Sequence, residues 1–577
     1  MNSTATRTLG AASLLAALVA ACSHSGPPPG ATAPATAQPP AAQHAMSHVP
    51  ATIAEWAHGA QLFAGLGAFH RDIGSASAEA GKYFDQGMRL MWAFNHDEST
   101  RSFAQAAALD PACAICYWGV ALTVGPNYNL PMMEDVRARV AWEALGKARA
   151  NAAHALPVEQ ALIEALGRRY PAPKPLDPSN SGPVLLAYAQ AMKTVAGKYP
   201  GDLDVQALYA EALMNLNPWK LWSADGRPAP RTEEIVATLA AVLARDPQHP
   251  GANHYYVHAL EASPHPERAV AAAERLRGMM PAAGHLEHMP AHILQRVGRY
   301  EEAAEANRRG VAADTAYFGA TQAPDYYLMY KAHNLQFLAY STAMEGRKAE
   351  TLQAVTDLRQ SVPNELLLAM PGVDWYLSEE YAALVRFGLW DEMLALAAPD
   401  SRLQALAGGY LYGRGVALAA TGRVAQANAT LDDLKRLTAQ LPADAAAGYN
   451  SAQDVLGIAA QIVAARIAVA EHRPEDALTR LRKAVADEDR LAYDEPRDWF
   501  FPVRHLLGAE LLRSHRAAEA EAVFRDDLRY NPNNGWALYG LTAALRAQGK
   551  AAEAAQLEPQ FRTAWQNADI ELTAAAF

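Results

Sequence analysis

Histidines that share one helix face can hold a transition metal, and this chain sets two such pairs in register. His254 and His258 lie four residues apart, and His288 and His292 repeat that spacing 34 residues further on. Residues i and i+4 stand one above the other on a helix, so each pair is fit to chelate. Imidazole nitrogen suits Zn, Cu, Ni or Fe, and a catalytic zinc needs three protein ligands plus one open position. His285, His333 and Glu261 add donors close by in sequence or repeat register. Seven of the 18 histidines, from His249 to His292, fall within 44 of 577 residues, where uniform scatter predicts one or two. His249 and His265 precede Pro250 and Pro266 and read as turn residues.

The elements that must carry these side chains follow from the same interval. A period of 34 residues, with apolar positions at helical spacing and no sustained alternation, predicts an all-α fold: a tetratricopeptide-repeat superhelical solenoid of paired antiparallel helices with insertions. Asp110-Pro111, Asp246-Pro247 and Asn531-Pro532 read as repeat ends, and Gly298, Gly388, Gly422 and Gly549 as turns between paired helices. Repeats are expected to start near residues 80, 250, 284, 332, 374, 408, 458, 501 and 535. Segments 171–183, 217–230 and 321–327 read as insertions, which a solenoid tolerates on its binding face. With Gly298 at position 15 of its repeat, His285, His288 and His292 take positions 2, 5 and 9. His254, His258 and Glu261 take 5, 9 and 12 of the preceding repeat, and His333 takes 2 of the following one. Six histidines from three first helices are thereby aimed into one concave groove.

Three uses compete for that groove: a transition-metal site, a polar groove for a peptide or small ligand, and plain structural hydrogen bonding. Neighbouring helices stand about 8 to 10 Å apart, so a shared metal site requires side chains from both to converge. Weaker constellations are Phe84, Met88, Met91 and Trp92, an apolar stripe that reads as core; Tyr117 and Trp118 with Asn127 and Asn129; and Asp494 to Trp499 ahead of Arg504 and His505, where carboxylates near an imidazole would raise its pKa. No nucleophile elbow, phosphate loop or dinucleotide fingerprint is present.

The address is written at the N-terminus. Arg7, an apolar run from Leu9 to Ala21 and then Cys22 form a signal peptide over 1–22, too short for a bilayer span. Val19-Ala20-Ala21-Cys22 is similar to the bacterial lipobox, which implies lipidation at Cys22. With Ser23 next, it also implies an outer-membrane anchor facing the periplasm. Residues 23–50, rich in Pro and Ala, read as a disordered tether, and 51–577 as the solenoid, with a bend into two lobes expected near 171–200 or 360–375. No later segment reads as apolar enough to cross a membrane. A formal charge of -11 without a basic block argues against nucleic acid, and no nucleic-acid partner is expected. With Cys22 lipidated, Cys113 and Cys116 remain, and in an oxidising compartment they are expected to form a local disulfide.

The strings over 83–129, 253–269, 284–309 and 494–504 resemble a family of exported bacterial tetratricopeptide-repeat proteins. That resemblance implies the solenoid and an envelope location, and brings no activity with it. The leading expectation is a lipid-anchored periplasmic scaffold binding a peptide, a partner protein or a small ligand in a histidine-rich groove. The alternative is a metal-binding protein or metalloenzyme, a hydrolase or oxidoreductase, using His254, His258, His288 and His292, with Glu261, His285 and His333 around them. A third class is a redox protein using Cys113 and Cys116.

Overall fold

The computed structural model describes residues 49–577 except 322 and 324. The signal peptide with Cys22, and the tether up to residue 48, lie outside the described residues. The rest is a succession of helical hairpins in which helices pack on their neighbours in sequence. The helix Pro250–Leu260 and the helix Gly284–His288 start 34 positions apart, as the sequence period requires. The later first helices are Leu328–Met344, Gln404–Ala420, Ala452–Ala470, Val503–Arg513 and Gly535–Ala547. They begin within six residues of the expected repeat starts. Gly298 turns the chain from Pro290–Arg296 into Tyr300–Ala320 at φ 75°, a left-handed conformation that costs glycine no Cβ clash.

The sequence reading leaves the stretch from 114 to 245 without assigned repeats. The structure fills it with Ala114–Thr123, Asp135–Asn151, Pro157–Leu166, Gly182–Lys198, Leu203–Met214 and Thr232–Arg245. Proline-rich connections interrupt the period there, so spacing alone does not reveal the pairs. A second correction concerns membrane spans. The helix Ala452–Ala470 is long and apolar enough to cross a bilayer, at a mean hydropathy of 1.4, yet 61% of it is buried inside the protein. It packs between Gln404–Ala420, Val424–Gln440 and Pro474–Glu488, which accounts for its composition as core.

The array also folds back on itself. Trp92 lies against the start of Pro250–Leu260, where a Cβ on Gly251 would come within 2.3 Å of its ring. The Tyr317 hydroxyl bonds Glu98 at 3.2 Å, and Trp536 Nε1 donates to the Ala343 carbonyl at 2.9 Å. Trp92 and Trp536 are fully buried at these junctions, and Trp56, Trp118 and Trp375 are fully buried elsewhere in the core. Phe84, Met88 and Met91 belong to the core, as does Trp118. A two-residue ladder, Ala446–Ala447 with Asn450–Ser451, interrupts the all-helical pattern. Gly448 at its tip has φ 63° and approaches Asp498 so closely that a Cβ would lie 1.6 Å from Oδ1. Asp498 accepts from the backbone N–H groups of Tyr449 and Asn450, which pins the tip and fixes Tyr449 over the interior.

Candidate metal centre

The six histidines and Glu261 do meet, but not in an open groove. His254, His258, His285, His288 and His292 are each at most 2% exposed, and His333 is half-buried. The expected solvent-lined concave face is roofed by residues from distant segments. Phe94 stacks on His258 and His285 with ring centroids 5.5 and 5.6 Å away, and Trp219 meets His258 edge-on at 5.7 Å. Both Phe94 and Trp219 have left-handed backbone, φ 56° and 62°, a strained state for bulky residues that persists only where packing enforces it. Phe337 closes the other side against His288, His292 and His333, with centroids 4.7 to 4.9 Å away.

Local structure explains how the pairs are presented. Pro290 has no N–H to give, and the chain tightens there: the His292 N–H bonds the Met289 carbonyl at 3.2 Å. His288 and His292 still fall on one face, with ring centroids 4.6 Å apart. The imidazoles group into two triads, His254 with His258 and His285, and His288 with His292 and His333. Within each, one ligand atom per residue lies within 4.8 Å of the others. Nitrogens bound to one metal at about 2.0 to 2.1 Å are about 3.3 to 3.5 Å apart, so small side-chain rotations complete either set. The triads adjoin: His258 and His292 are 5.7 Å apart by centroid, and His285 and His288 are 5.9 Å apart.

Hydrogen bonds fix which nitrogen faces inward. His254 Nδ1 lies 2.5 Å from the Trp92 carbonyl, which can only accept, so Nδ1 carries the proton and Nε2 the lone pair. His288 Nδ1 donates in the same way to Asn307 Oδ1 at 2.6 Å, and Asn307 Nδ2 in turn donates to the Ala303 carbonyl at 2.7 Å, which sets the amide's orientation. His258 Nδ1 donates to Glu261 Oε1 at 2.9 Å, leaving its Nε2 buried and unpartnered. His292 Nδ1 faces Glu261 Oε2 at 2.7 Å and Glu495 Oε2 at 2.5 Å. The inward Nε2 atoms then oppose one another, His254 to His285 at 3.2 Å and His288 to His292 at 2.6 Å. Two imidazole lone pairs at 2.6 Å repel unless a proton or a metal ion stands between them.

The electrostatics match. Burial, with the neighbouring imidazoles adding to it, holds His258, His285 and His288 well below the ordinary histidine value, and burial takes His254 and His333 to about 3. These five are neutral at pH 7, the form a metal requires. His292 goes the other way, to about 10: burial works against its charge, and Glu495 and Glu261 outweigh it. Burial and the neighbouring Glu495 push Glu261 well above the carboxylate range. Glu495 ends below that range because His292 overcomes the effect of burial.

Glu495 is the donor that sequence reasoning misplaces. Its acidic stretch reads as the partner of Arg504 and His505, whereas Arg504 bonds Asp489 at 2.7 Å and Asp526 at 2.8 Å, and His505 bonds Asp527 at 2.9 Å. Asn307, Phe94 and the Trp92 carbonyl carry no sequence signal for their roles. Asn129 and Trp219 stand in stretches that the sequence singles out, without a link to the histidines. His249 caps its helix by accepting from the Ala252 N–H and bonds Asp204 at 3.1 Å, and His265 bonds Glu267. Cys113 and Cys116 are joined in a buried disulfide at the start of Ala114–Thr123. Tyr117 and Trp118 bury in that same helix.

No protein-family profile matches the chain, and no curated protein matches it. Among solved structures it is similar to the human IFIT1 dimer with m7Gppp-AAAA, at a TM-score of 0.30 and 12% identity over 85% of this chain and 91% of that one. It is also similar to the APC/C hetero-tetramer Cut9–Hcn1, at a TM-score of 0.31 and 15% identity over 83% and 78% of the two chains.

Proposed function

We propose that this is a transition-metal-binding protein that holds one ion in each histidine triad, His254, His258 and His285 for the first and His288, His292 and His333 for the second. The observation that carries the reading is the outward anchoring of Nδ1 on His254, His258 and His288, which aims three Nε2 lone pairs inward, while a metal ion at the second triad would take the place of the proton that His292 carries. Metal-bound histidines characteristically give their second ring nitrogen to a carboxylate, carbonyl or similar acceptor. Glu261 fills that role for His258, and Glu261 and Glu495 stand at ion-pair distance from His292. All-imidazole donor sets favour Cu, Zn, Ni or Fe over Mg or Ca, whose ligands are oxygens. Glu261, His292 and Glu495 form a third close group, which in this reading acts by orienting His292.

The test is metal analysis of the chain from residue 51, purified without chelator and then titrated with Cu, Zn, Ni and Fe(II). One ion per triad is expected; uptake below about 0.1 equivalent of every metal sinks the proposal. The lipobox-like Cys22 supports a lipid-anchored protein of the periplasm, and Cys22→Ser is expected to move the full chain from the membrane to the soluble fraction. A second reading, a repeat scaffold for a peptide or partner protein, draws on an open polar cleft of about 690 Å³ bordered by Asp225, Glu267, Arg296, Asp489, Arg497 and Tyr530.

A further inference from the structure

A cavity of about 80 Å³ adjoins the histidine cluster, with His285, His292 and His333 in its wall. Its lining mixes two chemistries. Leu358, Val362, Leu367, Met370, Val373 and Leu377 are apolar. Other lining residues carry buried polar atoms that have no hydrogen-bond partner, among them Asn129 Oδ1, Trp219 Nε1, His285 Nδ1 and Gln336 Nε2. Leaving such groups unpaired costs about 1 to 3 kcal/mol each, so a cavity whose lining carries several of them is built for a polar partner. Asn129 offers an acceptor, while Gln336 and Trp219 offer donors. A hydroxyl group both donates and accepts, and answers this set.

We propose that this cavity binds a small uncharged organic molecule bearing one hydroxyl group, its short hydrocarbon part against the leucines and valines and its hydroxyl against Asn129 and Gln336. Charge is selected against from both sides. The carboxyl groups in the wall are already engaged, Glu495 by His292 and Asp494 by the Tyr376 hydroxyl, and no lysine or arginine lines the cavity, so a buried ion of either sign finds no free counter-charge. An ammonium group would leave the Gln336 and Trp219 donors unanswered. The size sets a limit of a few heavy atoms, since an apolar cavity of about 150 Å³ is what holds benzene. The position of this molecule beside a metal rests on the metal-centre reading above; the pocket itself does not.

The test compares 1-butanol, butyrate and n-butylammonium, which share a chain and differ in charge, by saturation-transfer NMR and calorimetry on the metal-free and metal-loaded chain. Butanol is expected to occupy one site, with the two ions at least about tenfold weaker. Val362→Phe fills the cavity from its apolar lining and is expected to abolish binding. Gln336→Met keeps the volume, removes a donor and is expected to weaken butanol about tenfold. Helical circular dichroism confirms that each variant is folded. Equal binding of a charged probe, or butanol binding that survives both substitutions, overturns the inference. Butanol binding without metal uptake upholds the pocket and overturns the metal centre; metal uptake without butanol binding does the reverse.

Discussion

Replacing Glu261 with glutamine separates the metal-centre reading from a structural one, because this carboxylate reaches an imidazole of each triad. Oε1 lies 2.9 Å from His258 Nδ1 and Oε2 lies 2.7 Å from His292 Nδ1. Glutamine keeps one acceptor oxygen and turns an NH₂ donor toward the other ring. Loss of such an outer partner weakens a metal by about 10- to 100-fold, or about 1.4 to 2.7 kcal/mol. The two triads do not suffer equally. His258 has Glu261 alone, so the ion at His254, His258 and His285 is expected near the upper figure. His292 keeps Glu495 at 2.5 Å, so the other ion is expected near the lower one. Glu495→Gln is expected to weaken the second ion and spare the first. Chelator competition followed by metal analysis measures both, and melting of the metal-free variants separates affinity from folding. Unchanged affinity at both sites, or a larger loss at the second ion in Glu261→Gln, refutes the reasoning.

His285→Ala is expected to lower the metal content from two ions to one, as is His333→Ala, and the pair together to abolish it, read by mass spectrometry of the loaded chain. Burial raises Glu488 from 4.5 to about 8. Its contribution to stability is therefore present below pH 4.5 and is lost as pH rises through 8; urea midpoints of the wild type are expected to fall across that window, and those of Glu488→Gln to fall less. Gly448→Ala adds a Cβ at φ 63° and 1.6 Å from Asp498 Oδ1, which is expected to cost about 1 to 3 kcal/mol in urea unfolding.

The helix pairs around the histidines were legible because their interval is undisturbed. A turn glycine at 298, a 34-residue return and i,i+4 spacing together place His254, His258, His288 and His292 on adjoining faces. The same logic, carried into the following repeat, brings in His333. What spacing cannot express is how far the array curls. Whether His292 faces water or Glu495, 203 positions further on, depends on long-range contacts such as Trp375 Nε1 donating to the Asp498 carbonyl at 2.7 Å, and these have no periodic signature. The histidines that the sequence groups lie close together, whereas the open groove expected around them is closed over. The pairs between 114 and 245 escaped for a local reason, since proline-rich loops there shift the interval from one hairpin to the next.

Because Glu495 and Tyr449 close over histidines that precede them by some 115 to 240 positions, the order in which the chain is made dictates when the centre exists. A chain emerging from a ribosome or a translocation pore presents all six imidazoles long before it presents their cover. Bringing the cover home is a late, non-local step of the sort that slows folding. Before it, the histidines are open to whatever metal the surroundings hold; after it, they are sealed. A mature protein unfolded and refolded in a chosen metal should thus trap that metal, while the same protein offered it when already folded should take it up slowly.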